Sequence, residues 1–358
     1  MISPSRIDSV AAAIPPLDRG KLAEATHRQE LLAKPPGSLG RLEILAVQLA
    51  AMRGRIAPVI NPAVVVMAAD HGVAREGVSA YPAAVTAAMV RTCLTGGAAI
   101  NAIVAAVGAR AVVVDMGVSR RVDGAGVVDR RIAAGTRNLA RGPAMSGNQA
   151  ERAVEAGIDI ADMLAADGVD LIVPGEIGIA NTTSASCIVA VMTGERAKVV
   201  AGRGTGIDDR ARERKVAVIE RALARQPLSR RDPLGVLASV GGFEIGGLVG
   251  LCIGAANHRI PVLLDGLISA SAGLLAVAIA PTVRSYLVAG HRSTEPGHRV
   301  ALRALHLRPL LELEMRLGEG TGAALAIPIL RAAAETLTRM ATLDAVLSGS
   351  PPSPIQAE

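Results

Sequence analysis

Glu319 stands between two glycines in the run Met315-Arg316-Leu317-Gly318-Glu319-Gly320-Thr321-Gly322-Ala323. Such glycines let backbone approach a ligand closely and leave the carboxylate no adjacent side chain to shield it, a placement suited to accepting or donating a proton. A structural Glu more usually sits on a helix flank with a basic residue four positions away. A second acid, Glu176, lies in Gly175-Glu176-Ile177-Gly178-Ile179-Ala180-Asn181-Thr182-Thr183-Ser184, which follows an apolar run and opens a helix. Asn181, Thr182 and Thr183 are residue types that cap helices, and the free N–H groups and dipole of a helix start favour a phosphate or carboxylate. A third segment, Gly202-Arg203-Gly204-Thr205-Gly206-Ile207-Asp208-Asp209, reads as another strand-to-helix loop. Its glycines allow backbone amides to form an anion nest, with Lys215 about two turns into the next helix. Arg292 and Ser293, in Gly290-His291-Arg292-Ser293-Thr294-Glu295-Pro296-Gly297-His298, are candidates for contacting a sugar phosphate.

Other chemistries fit less well. The Gly202 loop lacks the Gly-Lys-Ser/Thr order of a P-loop. Gly318, Gly320 and Ala323 satisfy the loose G-x-G-x-x-A form, but the charged Glu312-Leu313-Glu314-Met315-Arg316 before them does not read as a buried strand, which argues against a dinucleotide fingerprint. No two histidines share helical metal-ligand spacing, and there is neither a G-x-S-x-G nor a Cys with a partner His, so no metal and no cofactor is expected. Carboxylates, glycine loops and hydroxyls without a metal suit acid/base-assisted group transfer on a phosphorylated sugar.

The elements that must hold these groups follow from short apolar, β-branched runs. These are 63–67, 111–114, 170–173, 198–201, 236–240, 262–264 and 285–289, most ending at Gly or an acid, with Ala-rich segments of helical length between them. That alternation predicts an α/β fold with a mostly parallel sheet and helices on both faces. The hydrophobicity is continuous within the runs, so both faces of each strand should be buried. Ligands in such sheets bind beyond the carboxyl ends of the strands, where the polar and glycine-rich groups collect. Residues 1–55 and 309–358 carry only helical patterns and are expected to join as a small helical subdomain beside the large 56–308 domain. The proline-containing tail 348–358 should be loose.

Composition narrows the partners. Aromatics are 1% of the 358 residues, with no Trp, so bases of a nucleic acid would find almost no rings to stack on. The formal charge of +6 comes without a basic tail or stripe, which fits handling of small anions. Cys93, Cys187 and Cys252 lie far apart in apolar runs and read as buried hydrophobes of a reducing compartment. Arg6, Asp8, Asp18 and Arg19 interrupt the N-terminal region, so no secretory signal is expected there, and the protein should be cytoplasmic. Two uncharged stretches, 92–109 and 266–283, approach membrane-spanning length, but their Gly, Ser, Asn or Pro and their Ala content suit buried helices of a soluble core rather than membrane insertion.

Several motifs, in order, resemble those of the nicotinate-nucleotide–dimethylbenzimidazole phosphoribosyltransferase family. They are Lys34-Pro35-Pro36-Gly37-Ser38-Leu39-Gly40-Arg41-Leu42-Glu43, Ala69-Asp70-His71-Gly72-Val73, residues 175–183, Val262-Leu263-Leu264-Asp265-Gly266 and residues 316–324, so the resemblance runs from about Leu31 to about Met340. It implies a homodimer with a Rossmann-like large domain and a small helical domain. It also implies exchange of nicotinate for 5,6-dimethylbenzimidazole on ribose 5-phosphate, giving α-ribazole 5′-phosphate for the lower-ligand nucleotide of cobalamin. Glu319 falls on the family's catalytic base and Glu176 on its second active-site acid. Gly175, Gly178, Asn181, Thr182, Thr183, Gly202, Gly204, Thr205, Gly206, Lys215, Asp265, Arg292, Ser293, Gly318 and Gly320 are then expected around nicotinate mononucleotide. Tyr81, Pro82, Met89 and Leu317 are expected around the base. Family members commonly carry a Gln where this chain reads Ala87-Ala88-Met89, so its base preference should be broader. Two other classes are a silent base- or nucleotide-binding sensor, disfavoured by retention of both acids, and a nicotinamide oxidoreductase, disfavoured by the missing fingerprint.

Overall fold

The computed structural model describes residues 5–59, 61–122, 124–225 and 227–350. Of the tail 348–358, expected to be loose, residues 351–358 lie outside them. Six strands form one parallel sheet: β1 (Pro62–Ala69), β2 (Arg110–Gly117), β3 (Val127–Asp129), β4 (Leu171–Ile177), β5 (Val262–Leu264) and β6 (Leu287–Ala289). Their spatial order is β3-β2-β1-β4-β5-β6, the doubly wound Rossmann order. Every residue of β1 and β4 is buried, as a sheet covered on both faces requires. The order in which strands are added reverses between β1 and β4, where Val66 pairs with Gly175 and Met67 with Glu176. The crevice beyond that junction is the place this topology offers a ligand.

Two expected strands are helices. Val236–Val240 belongs to the helix Pro233–Val240, which starts where Asp232 accepts the N–H of Gly235 and Pro233 pre-sets φ. Residues 198–201 fall on the single-turn helix Ala197–Val200 and its C-cap Ala201. In both, a four- or five-residue apolar run carries no period that separates a strand from one buried turn of helix. The Gly202 loop therefore joins two helices, Ala197–Val200 and Asp209–Ala224, rather than a strand and a helix. Strand β3 escaped the sequence reading because it is three residues long, partly exposed and flanked by charge. Only Leu287–Ala289 of the 285–289 run is strand; Pro281–Tyr286 is a 3₁₀ turn.

With so few rings, backbones pack closely. Helices Gly147–Ala166 and Phe243–Asn257 cross at glycines: a Cβ on Gly157 would lie 1.9 Å from Gly247 O, and one on Gly250 1.8 Å from Val154 O. This crossing holds the start of the second helix, with Glu244, against the ends of β1 and β4. Of the terminal segments, helices Arg19–Leu31, Arg41–Arg53 and Ile327–Arg339 pack on one another, and the Arg28 guanidinium donates to carbonyls of Leu337, Thr338 and Met340. Helix Arg6–Ala13 packs instead on the two crossing helices. The signature loop 34–43 closes on itself, with Lys34 Nζ 3.0 Å from Glu43 and Glu43 accepting the Leu39 amide.

The first uncharged stretch, 92–109, is no single helix: it covers the end of helix Ala84–Leu94, a turn at Gly96 with φ 82°, and helix Ala99–Val107. Each is too short to span a bilayer, and only one face is buried. Leu267–Ile279, in the second stretch, is buried along most of its length. All three cysteines are free and buried, and burial pushes each thiol up to about 12.

Candidate active site

The segment Gly318-Glu319-Gly320 crosses the end of β4 with three successive left-handed residues, φ 94°, 60° and 83°. Only glycine adopts that conformation freely; at Glu319 it is strain that the surroundings must hold in place. They do so tightly. The Glu319 N–H donates to Glu176 O at 3.1 Å, and a Cβ on Gly175 would come within 2.4 Å of Glu319 O. One on Gly318 would come within 2.4 Å of Glu176 Oε1, and one on Gly320 within 2.8 Å of Val64. Three glycines thus let the catalytic-candidate loop lie flat on the strand that carries the second acid.

Glu319 is 5% exposed, not free-standing as its flanking glycines suggested, and its Oε2 accepts the Ile100 amide at 3.3 Å. Ile100 lies in the first turn of helix Ala99–Val107, whose positive end favours the carboxylate. Burial is the larger influence, and it raises the Glu319 pKa above the ordinary 4.5 despite the Ile100 bond. Glu176 is buried as well, at 8% exposed. Its Oε2 accepts from Asn181 Nδ2, yet desolvation, helped by Glu244, Asp265 and Glu319, raises its pKa well above the ordinary range. The two acids therefore differ in character. Glu176 favours its proton, and Glu319, anchored at a helix start, is the better candidate for the base.

Asn181, Thr182 and Thr183 do not cap their helix. It begins behind Ala180, itself left-handed at φ 75°, and the three residues form its first turn. Their side chains are used elsewhere: Asn181 on Glu176, Thr182 on Lys215 Nζ at 2.8 Å, while the buried Thr183 hydroxyl has no protein partner. Gly178 fits under Ala69 O, where a Cβ would sit 2.8 Å away. Lys215 is fully buried, and desolvation lowers its pKa to about 8.

The Gly202–Gly206 loop is a junction. Glu295 accepts the Gly204 amide at 2.8 Å, and Arg316 donates to Gly204 O at 3.0 Å. The Thr205 hydroxyl accepts the Ala80 amide at 2.9 Å and lies 3.1 Å from Ser79 Oγ, and Gly206 turns at φ 101°. The loop before Tyr81 and the residue before Leu317 are both tied to this junction. Of the four residues expected around the base, Tyr81 and Leu317 are 56% and 59% exposed, Pro82 is exposed and Met89 is partly buried. Asp265 accepts the Ala323 amide at 2.9 Å, bracing the segment after Glu319, and His291 lies 3.2 Å from it. Ser293 is buried and accepts the Glu295 amide. Arg292 is not brought to this group: it is exposed and paired with Glu312 at 2.7 Å.

The sequence reading missed the buried set beneath the site. His71 Nε2 meets Glu244 Oε1 at 2.6 Å and Nδ1 meets Ser184 Oγ at 3.0 Å, all three side chains sealed from water. Glu244 had a signal available, being the one charged residue between Asp232 and His258. Glu295 was hidden because an acid before Pro-Gly reads as an ordinary helix start.

The chain matches the phosphoribosyltransferase family over residues 14–346. The nicotinate-nucleotide–dimethylbenzimidazole phosphoribosyltransferase of Chloroflexus aggregans is 52% identical over 331 residues, covering 92% of this chain and 94% of the relative. This chain belongs to that family. The enzyme of the same name from Roseiflexus sp. is 51% identical over 348 residues, 96% of this chain and 99% of its own length. The crystal structure of the Thermus thermophilus enzyme superposes with a TM-score of 0.87 at 45% identity, covering 92% of this chain and 98% of that one.

Proposed function

We propose that the protein transfers the 5-phosphoribosyl group of nicotinate mononucleotide to 5,6-dimethylbenzimidazole or a related base, releasing nicotinate and forming α-ribazole 5′-phosphate. The observation that carries the site assignment is the contact of Glu319 with Glu176 over the end of β4: two buried acids of unlike character at the point where the sheet reverses. Nicotinate bound through its ring nitrogen is a pyridinium and leaves without metal-bound pyrophosphate. One nitrogen of the benzimidazole attacks C1′ as the nicotinate bond breaks, and Glu319 takes the N–H proton from the other. Attack from the face opposite the leaving group turns the β-nucleotide into an α-nucleotide. Glu176, retaining its proton, supports the base rather than supplying a full negative charge. Lys215, Thr182 and the glycine amides face the phosphate, Asp265 and Ser293 brace the ribose side, and Tyr81, Pro82, Met89 and Leu317 form the base mouth.

The decisive test mixes nicotinate mononucleotide with dimethylbenzimidazole and separates products by chromatography: α-ribazole 5′-phosphate is expected, and its absence removes the assignment. Ala88 is exposed and offers the base no hydrogen bond. Discrimination between bases differing by methyl groups then rests on burial, about 1–3 kcal/mol, so benzimidazole should compete within roughly a hundredfold. Competition of the two bases for limiting nucleotide measures this. A homodimer is part of the proposal, supported by exposed Ile44, Leu313, Leu343, Val346 and Leu347 and testable by light scattering. So are a small helical domain around the three mutually packed terminal helices, and a cytoplasmic location, which the three free thiols suit.

A further inference from the structure

A carboxylate of the protein itself occupies the nest that the sequence offers to a phosphate. Glu295 Oε1 accepts the Gly204 N–H at 2.8 Å, and both oxygens press on Gly202, where a Cβ would lie 2.2 Å from Oε2. The same pocket holds Lys215, whose Nζ donates to Thr182 Oγ1 at 2.8 Å and lies 3.4 Å from Gly202 O. Gly204 closes it from the other side: a Cβ there would sit 2.8 Å from Thr182 Oγ1 and 3.4 Å from Lys215 Nζ. A nest amide, a hydroxyl and an ammonium converge, as a phosphate site requires.

Two details set Glu295 apart from a permanent structural clamp. Its Oε2 is buried and has no hydrogen-bond partner. By contrast, Asp170, a buried structural acid of the same chain, uses one oxygen on the Asn61 amide and the other on Arg53. In addition, Lys215 and Glu295 attract each other but do not close into an ion pair; the ammonium stays on Thr182 and Gly202. The carboxylate is therefore half-satisfied, which is costly for a group that never moves. A phosphate reaching Lys215, Thr182 and the Gly204 amide cannot share that space with a second anion in a site shielded from water.

We propose that Glu295 is a resident substitute for the substrate's phosphate, keeping the Gly202–Gly206 nest shaped and charge-balanced until the nucleotide arrives and then yielding the Gly204 amide to it. The idea rests on the phosphoribosyl reading of the site. It makes phosphate binding a competition, in which affinity is reduced by the fraction of molecules whose nest is already filled.

Calorimetric titration with inorganic phosphate tests this on the full-length wild type and on Glu295→Gln, which keeps the shape and removes the charge. The variant should bind phosphate on the order of tenfold more tightly. Equal or weaker binding by a folded variant overturns the proposal. Should the variant not fold, a crystal structure of the wild type soaked in inorganic phosphate decides the matter. Phosphate on Gly204 N and Lys215 with Glu295 withdrawn is the expected result. Glu295 still on Gly204, with or without phosphate elsewhere, sinks the idea. Neither readout uses turnover, so loss of the phosphoribosyl assignment would show separately, as a wild type that makes no α-ribazole 5′-phosphate.

Discussion

Burial strengthens the hold of Glu319 on a proton, and the Ile100 amide at a helix start weakens it; burial prevails. A base must be ionised to act, so kcat/KM should fall as pH drops through a value above the ordinary 4.5, which a pH–rate profile of the free enzyme reads directly. Glu319→Gln keeps the hydrogen bond from Ile100 possible but cannot take a proton. Turnover should drop by roughly 10²–10⁴ while nucleotide binding persists, measured by steady-state kinetics beside calorimetry. Lys215 carries the opposite sign. Its pKa is lowered to about 8, so its charge, and with it affinity for the phosphate, should be lost as pH rises through that value. Nucleotide titrations at pH 7 and pH 9 on wild type and Lys215→Ala check this: the wild type should weaken toward the variant, whose own affinity should change little over that interval.

At the scale of elements, the catalytic-candidate loop depends on what β4 lacks. Gly175→Ala would place a methyl 2.4 Å from Glu319 O, and the loop, not the central strand, must move. A displacement of about 1 Å at a reacting group costs on the order of 10² in rate. Activity should therefore fall by about that factor while circular dichroism remains that of the wild type. This dependence was partly legible in the sequence. Gly175, Glu176, Gly318, Glu319 and Gly320 are singled out by local pattern, and β1, β2, β4 and β5 by buried β-branched runs. Which glycine meets which acid was not legible, because that contact joins residues far apart in the chain through strand order. The two misread helices show the other limit: Val236–Val240 and residues 198–201 are mostly apolar, short and compatible with either backbone. Helix capping by Asp232 and Pro233 decided the first.

For the molecule as a whole, the site is a destabilising feature that the glycine-crossed core must carry. The folded-state pKa of Glu176 is raised, so the native state holds a proton that the unfolded chain releases. The resulting contribution to stability is full below the unfolded pKa and is lost as pH rises toward the folded value. Glu176→Gln removes the ionisable group and can still accept from Asn181. It should leave the melting temperature near pH 4 unchanged and raise it by roughly 1–4 °C at pH 8, with a loss of activity. Thermal melts at the two pH values measure it, and equal shifts at both would mean that ionisation is not the cause.

The scarcity of aromatic rings has an optical consequence. With no Trp and two tyrosines, near-ultraviolet emission comes from Tyr81 and Tyr286 alone. Tyr286 is buried, and its hydroxyl donates to Pro15 O at 2.8 Å, so it supplies a constant background. Tyr81 is 56% exposed, is one of the residues proposed to receive the base, and supplies the variable part. A flat base seated there should therefore be visible as a change in tyrosine emission, without label or engineered probe, and Tyr81→Phe should silence it.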